Sequence, residues 1–448
     1  MKKKLFSLIT LILAVCILIP SISVGAATYK IDFATTTKAL ELINIDTGTV
    51  VYQKNADQKV EMASTTKIMT YIITAEKIKN LDTKITVPQA VIDSLSGTGS
   101  SMSGLIGGET LTALQILNCM MVPSGNDAAA VLADYVGGGD ANKFVEMMNA
   151  KAKELGCKNT HFVNPHGLHD PDHYTTADDM AKIAKYALSL PHFTEITSQI
   201  SYSIPATNKS AKPREIGATN YMICPNAEQG YYYYKYATGI KTGTTDEAGY
   251  CLVSSATKDN SSYLCVALGA PEIDANGKHV SINGAMVDSK KLFQWAFSSL
   301  KLKTVINNTD KLGEVKLAYA WNKDTLAYTA EKSYSTILPN DVDASSVIIT
   351  PHLPKSVTAP VKKGYVIGTA TISYAGQELT TVNLVAAESV ERSELLHTVD
   401  AAKLIFTSTW FLVIVALIII LLIIYIILAI MYNRKKKNLR RVKKYRKM

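Results

Sequence analysis

Residues 61–70 read EMASTTKIMT and place Ser64 and Lys67 three positions apart at the entry to an apolar helical pattern. Three residues is nearly one helical turn, so the two side chains share a face. Ile68, Met69, Ile72 and Ile73 follow at helical spacing and predict burial of that side of the helix. A lysine beside apolar surface is pushed toward its neutral form, and a neutral amine takes a proton from a hydroxyl. Taken alone, the pattern has a plainer reading: a Ser/Thr N-cap followed by a lysine that snorkels to solvent. The rest of the chain decides between the two.

Both ends of the 448-residue chain speak to its compartment. Three lysines, an apolar stretch from Leu5 to Pro20 and the small residues around Ala26 predict a secretory signal over 1–27, cleaved after Ala26 or Ala27. Val15 stands before Cys16 where a lipidation site wants a small residue. From Trp410 to Tyr432 the chain is uncharged and rich in Ile and Leu. At about 1.5 Å per residue this stretch is long enough to cross a bilayer with some tilt. The tail 433–448, NRKKKNLRRVKKYRKM, is basic throughout and predicts a cytoplasmic end. The body is therefore expected outside the cell, held in the plasma membrane by its C-terminal helix.

The net charge of +9 follows from this topology. Thirteen of the 47 basic residues lie in the two ends, and the 34 that remain face 38 acidic ones, a net charge of −4. A mildly acidic body gives no reason to expect a nucleic-acid partner. Cys119, Cys157, Cys224, Cys251 and Cys265 are an odd, sparse set in mostly apolar contexts. They read as buried thiols rather than a disulfide framework, with Cys251 and Cys265 able to pair if their strands are neighbours.

Between the ends, ALELINIDTGTVVYQ from Ala39 reads as a β-hairpin turning at Asp46, Thr47 and Gly48. A helical region runs from Ser64 to Leu190, its last helix starting at an expected N-cap, Thr175. Strands return in YATGIKTGTT, AGYCLVSSAT and SYLCVALGA, and SKKLFQWAFSSL reads as one more amphipathic helix. Strands at both ends of the segment with helices inserted predict an α+β domain whose single sheet is closed by both ends. After Leu300 the texture changes to short alternating strands, a small all-β domain. The expected division is a signal at 1–27, a first domain at 28–298, a β-rich domain at 299–395, a linker at 396–409, the transmembrane helix at 410–432 and the basic tail at 433–448. The tyrosine run Tyr231 to Tyr234 reads as a packed or rim loop.

Two further stretches hold polar groups where packing is expected. VPSGNDAAA puts Ser124 and Asn126 at a break between apolar helical runs, and GIKTGTT puts Lys241, Thr242, Gly243 and Thr244 on a strand. Each alone is weak, since the first reads equally as a cap and the second as an exposed strand. Ser-x-x-Lys, Ser-x-Asn and Lys-Thr-Gly in that order are specific, and they resemble the motif set of class A β-lactamases and penicillin-binding proteins, whose middle motif is Ser-Asp-Asn where this chain has Ser-Gly-Asn. Acyl transfer needs a nucleophile, a base, an acid for the leaving amine and donors for the oxyanion. Ser64 has a lysine one turn away. Ser124 and Asn126 are suited to relaying protons and orienting an amide. Lys241 and Thr242 offer a charge and a hydroxyl to a substrate carboxylate.

From Ala39 to Leu300 the chain resembles the low-molecular-weight penicillin-binding proteins of the serine D-alanyl-D-alanine carboxypeptidase type. Besides the three motifs, the resemblance is carried by SGNDAAAVLADYVGG, MNAKAKELGCKNTHFVNPHGL, HYTTADDMAKIAKYAL and GIKTGTTDEAGYCL. It implies a transpeptidase-like domain, an antiparallel sheet with a helical subdomain, followed more loosely by the family's β-rich domain. By resemblance Ser64 forms the acyl-enzyme, Lys67 is the base, and Ser124 and Asn126 assist. Lys241, Thr242 and Gly243 line the carboxylate side, and the backbone N–H groups of Ser64 and Thr244 form the oxyanion hole. The implied substrate is the peptidoglycan stem peptide, with β-lactams as covalent inhibitors and no cofactor. The implied role is control of cross-link density. An arginine common in the family ahead of its last helix has no counterpart, and Ala285 stands roughly in its place. The family's usual anchor is an amphipathic helix, which this chain replaces with a full span.

Three rival readings compete with this one. His161, His166, His169 and His173 with Asp170 and Asp172 suggest a zinc peptidase, but their spacing fits no standard zinc signature. A class A β-lactamase needs a deacylating glutamate, and none has a convincing counterpart here. A catalytically silent, peptidoglycan-binding homologue is expected to lose the serine or the lysine, and both are present.

Overall fold

The computed structural model describes residues 29–445 apart from Ala275 and Asn322, so the expected signal at 1–27 lies outside the described residues. Two compact units divide the chain. The first comprises residues 29–305 together with Tyr334–Ile349 and Ile372–Thr380. The second comprises Ile306–Ser333, Thr350–Thr371 and residues from 381 onward.

The first unit is built on a five-stranded sheet of β1 (Ala39–Asn44), β2 (Val50–Lys54), β3 (Ala237–Thr245), β4 (Gly249–Lys258) and β5 (Ser261–Ala270). Its order is β2-β1-β5-β4-β3, antiparallel throughout. The N-terminal hairpin thus shares one sheet with the later strands, as the sequence pattern predicts, and joins it by pairing with the last of them. Strand period decides the rest. Along β1, Leu40 and Leu42 enter one apolar core while Ala39 and Ile43 enter the other, so this inner strand is covered on both faces.

On one face lie α1 (Lys67–Lys77), α2 (Ala113–Met121), α3 (Asn126–Gly137), α4 (Ala141–Glu154) and α5 (Ala177–Ala187). On the other lies α6 (Gly284–Ser299). Ile68, Met69 and Ile72 of α1 are fully buried, each worth roughly 2 kcal/mol of apolar transfer, and they fix the helix that begins with Lys67. Caps set the helix starts. Thr112 and Gln115 form a reciprocal capping box on α2. Thr176, not Thr175, caps α5, its Oγ1 accepting from the N–H of Asp179 at 3.1 Å. Thr175 is instead held in a bridge to Val60. Helix α6 starts five residues before the SKKLF pattern because Asn283 caps Met286 there.

The five cysteines among the described residues are free. Cys251 and Cys265 do lie on neighbouring strands, β4 and β5, but point into opposite cores, so the side-chain alternation that places them rules out their pairing. The strand Leu300–Ile306, whose first six residues lie in the first unit, pairs with Tyr334–Pro339. In the second unit Thr325–Ala330 lies antiparallel to Gly313–Ala318 and, through Tyr328–Ala330, to Leu384–Ala386. Two helices follow, α7 (Glu394–Thr407) and α8 (Thr409–Tyr445). The segment Thr409–Lys436 of α8 is long and apolar enough to cross a membrane.

Candidate active site

Ser64 sits on a single 3-10 turn, Ala63–Thr66, that runs straight into α1. Its side chain caps nothing, and Lys67 is fully buried, so neither half of the plainer sequence reading describes the structure. The turn is entered through Ala63 at φ 43°, a left-handed conformation costly for alanine. Its surroundings hold it there. Thr65 Oγ1 donates to Met62 O at 2.6 Å and Thr66 Oγ1 to Ala63 O at 2.7 Å. Behind Thr66 stands His173. The N–H of Val163 donates to His173 Nδ1 at 3.0 Å, which leaves the ring proton on Nε2 to donate to Thr66 Oγ1 at 2.7 Å. Burial pushes the His173 imidazole down to about 4, in keeping with the neutral ring this chain needs. Gly167, at φ +90°, packs so closely that a Cβ there would stand 2.0 Å from Ala63 O.

Lys67 Nζ has three neighbours: Ser64 Oγ at 2.8 Å, Asn126 Oδ1 at 2.6 Å and the backbone carbonyl of His166 at 2.7 Å. Burial, and after it the positive charge of Lys241, push Lys67 well below the usual lysine range, against the opposing pull of Asp127. The neutral amine has two N–H donors and one lone pair. A carbonyl can only accept, so the two donors go to Asn126 and His166, and the lone pair is left for the Ser64 hydroxyl. That is the arrangement of a base beside its nucleophile.

Asn126 opens α3, just after Ser124, which has φ 68°. Asp127 ties this break to the segment ahead of α2. Its carboxylate accepts from the N–H and Oγ of Ser103 at 2.9 Å, from Gly104 N–H at 2.9 Å and from Leu105 N–H at 3.0 Å. Strand β3, an edge of the sheet, brings in Lys241 to Thr244. Gly243 lies against the Ser64 turn, where a Cβ would stand 2.9 Å from Ser64 N. Lys241 is buried, donates to the Thr242 carbonyl at 2.9 Å, and is lowered by burial to about 7.

These elements enclose a cavity of about 500 Å³. Of the residues singled out in the sequence, Ser64, Ser124, Thr242, Gly243 and Thr244 line it, whereas Lys67, Asn126 and Lys241 lie buried behind its wall. Sequence reasoning missed the His166 carbonyl, the His173–Thr66 chain, and Thr219, whose Oγ1 lies 2.5 Å from Thr242 Oγ1. Ala285 is fully buried in the core under α6, and the wall on that side carries His279, Ser281 and Asn283.

The four histidines of the 161–173 stretch do not converge. His161 Nδ1 faces Asp172 O, His166 is turned by the N–H of Leu168, and both nitrogens of His173 are engaged. His169 alone meets carboxylates, and they are Glu61 at 2.9 Å and Glu247 at 3.9 Å rather than the neighbouring aspartates.

A helical subdomain on a five-stranded antiparallel sheet, with a serine and a buried lysine at their junction, is the architecture of an active-serine enzyme of the penicillin-binding class. The family model for D-alanyl-D-alanine carboxypeptidase matches residues 26–272, and that for the C-terminal domain of penicillin-binding protein 5 matches residues 301–392. The chain is 30% identical over 362 residues to D-alanyl-D-alanine carboxypeptidase DacF of Bacillus subtilis, covering 81% of this chain and 88% of the relative. Among solved structures, penicillin-binding protein 5 from Haemophilus influenzae superimposes with a TM-score of 0.65 at 27% identity, over 81% of this chain and 100% of that one. The Streptomyces K15 DD-transpeptidase matches with a TM-score of 0.54 at 30% identity, over 60% of this chain and all of its own. The chain belongs to the serine D-alanyl-D-alanine carboxypeptidase family.

Proposed function

We propose that the chain removes the terminal D-alanine from peptidoglycan pentapeptide stems through an acyl-enzyme on Ser64. The observation that carries this reading is the environment of Lys67, whose two carbonyl partners leave its lone pair for the Ser64 hydroxyl. Ser64 Oγ attacks the carbonyl carbon of the penultimate D-alanine as its proton passes to Lys67. Ser124 relays that proton to the leaving D-alanine amine, and Asn126 orients the substrate amide. The N–H groups of Ser64 and Thr244 hold the oxyanion, an arrangement that Gly243 allows by letting β3 approach the nucleophile turn. Lys241 sets a positive potential behind Thr242, whose hydroxyl meets the terminal carboxylate. Water, activated by Lys67, then releases the shortened peptide. A β-lactam enters by the same steps and leaves Ser64 acylated.

The catalytic domain spans 28–298 and the β-rich domain 299–395. A signal at 1–27 delivers both outside the cell, the helix at 410–432 anchors them in the plasma membrane, and the tail at 433–448 stays in the cytoplasm. The test follows D-alanine release from a stem peptide ending in D-Ala-D-Ala. Wild-type protein should release it, and Ser64→Ala and Lys67→Ala should each lower the rate at least about a thousandfold. Release undiminished in either folded variant would refute the assignment.

A further inference from the structure

Glu61, His169 and Glu247 come from three separate segments of the first unit and meet at one point. His169 Nδ1 lies 2.9 Å from Glu61 Oε2 and 3.9 Å from Glu247 Oε2, and one ligand atom of each residue lies within 4.8 Å of the other two. The backbone behind each side chain is held. Val60, next to Glu61, exchanges two backbone hydrogen bonds with Thr175, at 2.8 and 2.9 Å. Asn164 ties the loop that leads to His169, accepting from Gly167 N–H at 2.7 Å and donating to Leu168 O at 2.9 Å. The turn between β3 and β4 that carries Glu247 is closed by Ala248 N–H donating to Thr245 Oγ1 at 3.0 Å. The Glu247 carboxylate has no partner but His169 among the described residues.

Charge and spacing both suit a metal ion. With a neutral imidazole the trio carries two negative charges, and a protonated His169 answers only one of them, with Asp170 adjoining. A divalent cation answers both. Nitrogen and oxygen ligands about 2.0–2.2 Å from Zn²⁺ stand roughly 3 to 3.5 Å from one another. Glu61 and His169 stand at that spacing, and Glu247 reaches it by closing about half an ångström at the end of an exposed side chain. An imidazole among the donors favours a transition ion over Mg²⁺ or Ca²⁺, which take oxygen ligands.

We propose that Glu61, His169 and Glu247 bind one divalent transition cation of the Zn²⁺ type, which ties together three segments that build the active site. Glu61 stands three residues before Ser64, and Glu247 three residues after Thr244. His169 follows His166 and Gly167, whose backbones meet Lys67 Nζ and the turn at Ala63. The cation takes no part in acyl transfer, so the proposal stands apart from the carboxypeptidase reading.

The test uses the full chain in detergent, stripped with EDTA and free of any histidine tag, titrated with ZnCl₂ by calorimetry. Wild-type protein should bind one Zn²⁺ per chain with a Kd of about 1 µM, undisturbed by about a thousandfold excess of MgCl₂. His169→Ala should weaken binding at least about a hundredfold, and Glu61→Gln and Glu247→Gln about tenfold each. Zn²⁺ at about a hundred times its Kd should raise the wild-type melting temperature by about 5 °C and leave that of His169→Ala unmoved. Melting of each variant near wild type in EDTA separates lost binding from lost folding. Wild-type binding weaker than about 100 µM, or binding of equal strength in His169→Ala, would overturn the proposal and leave the carboxypeptidase reading standing.

Discussion

At the scale of single residues, two buried titratable groups give separable pH effects, one on substrate recognition and one on stability. Lys241, at about 7, loses its positive charge as the pH rises through neutrality, because burial favours the uncharged amine. Its charged fraction falls from roughly half at pH 7 to about one-hundredth at pH 9. KM for a peptide with a free terminal carboxylate should therefore rise about tenfold over that range, and KM for the corresponding peptide amide should stay flat. Parallel behaviour of acid and amide would remove Lys241 from carboxylate recognition. Glu41, buried on β1 with Oε2 unpartnered, is raised to about 8, first by desolvation and then by Asp178, with Lys182 opposing. Its folded-state pKa lies above the unfolded value, so the folded protein binds the extra proton. The stability this proton supplies is full below about pH 4.5 and is lost as the pH rises toward 8. Glu41→Gln, which needs no proton, should match wild type near pH 4 and exceed it at pH 7 by as much as about 3 kcal/mol in denaturant unfolding.

At the scale of elements, the nucleophile turn depends on what presses against it. Gly167 is the sharpest case. An added methyl would meet Ala63 O at 2.0 Å with the backbone already at φ +90°. Gly167→Ala should displace the turn, lowering kcat by at least about a hundredfold and stability by about 2 kcal/mol, read together by D-alanine release and thermal melting. Near-wild-type turnover would show that the turn tolerates displacement. His173 has its pKa depressed by burial to about 4. Its contribution is therefore present above the unfolded histidine value near 6.5 and is lost as the pH falls toward 4, on the order of 3 kcal/mol in all. His173→Asn should flatten the acid limb of the stability curve between pH 6.5 and 4 while lowering the plateau at pH 7, and an unchanged acid limb would contradict the role given to this imidazole.

This scale also divides what the sequence made legible from what it did not. Ser64 and Lys67 stand one turn apart, so their meeting was readable from spacing alone. Asn126 and Lys241 were readable from motif order, but their depth behind the wall was not, because burial is set by elements remote in the chain. The carbonyl of His166 was invisible because a backbone oxygen carries no residue type. Thr176 displaced Thr175 as the cap of α5 because the chain's bridge at Val60 had already engaged Thr175. A run of two threonines offers no local signal to choose between them.

At the scale of the whole molecule, period-2 strands at both ends of the segment with helices between them made the single shared sheet legible, whereas the strand order within it was not, because strand pairing is set by register between segments remote in the chain. The proposed topology puts the body outside the membrane and the tail 433–448 inside. Protease added to intact cells should release fragments of the body and leave the tail epitope protected until the membrane is permeabilised. Digestion of a tail epitope in intact cells would reverse the orientation.

The central claim is that Ser64 is the nucleophile and Lys67 its base. The most direct measurement is mass spectrometry of the full chain after exposure to benzylpenicillin, with peptide mapping of the adduct. The account predicts one covalent adduct per chain on the peptide carrying Ser64, absent in Ser64→Ala and formed at least about a thousandfold more slowly in Lys67→Ala. An adduct on another residue, or full-rate acylation of Ser64 without Lys67, would contradict it.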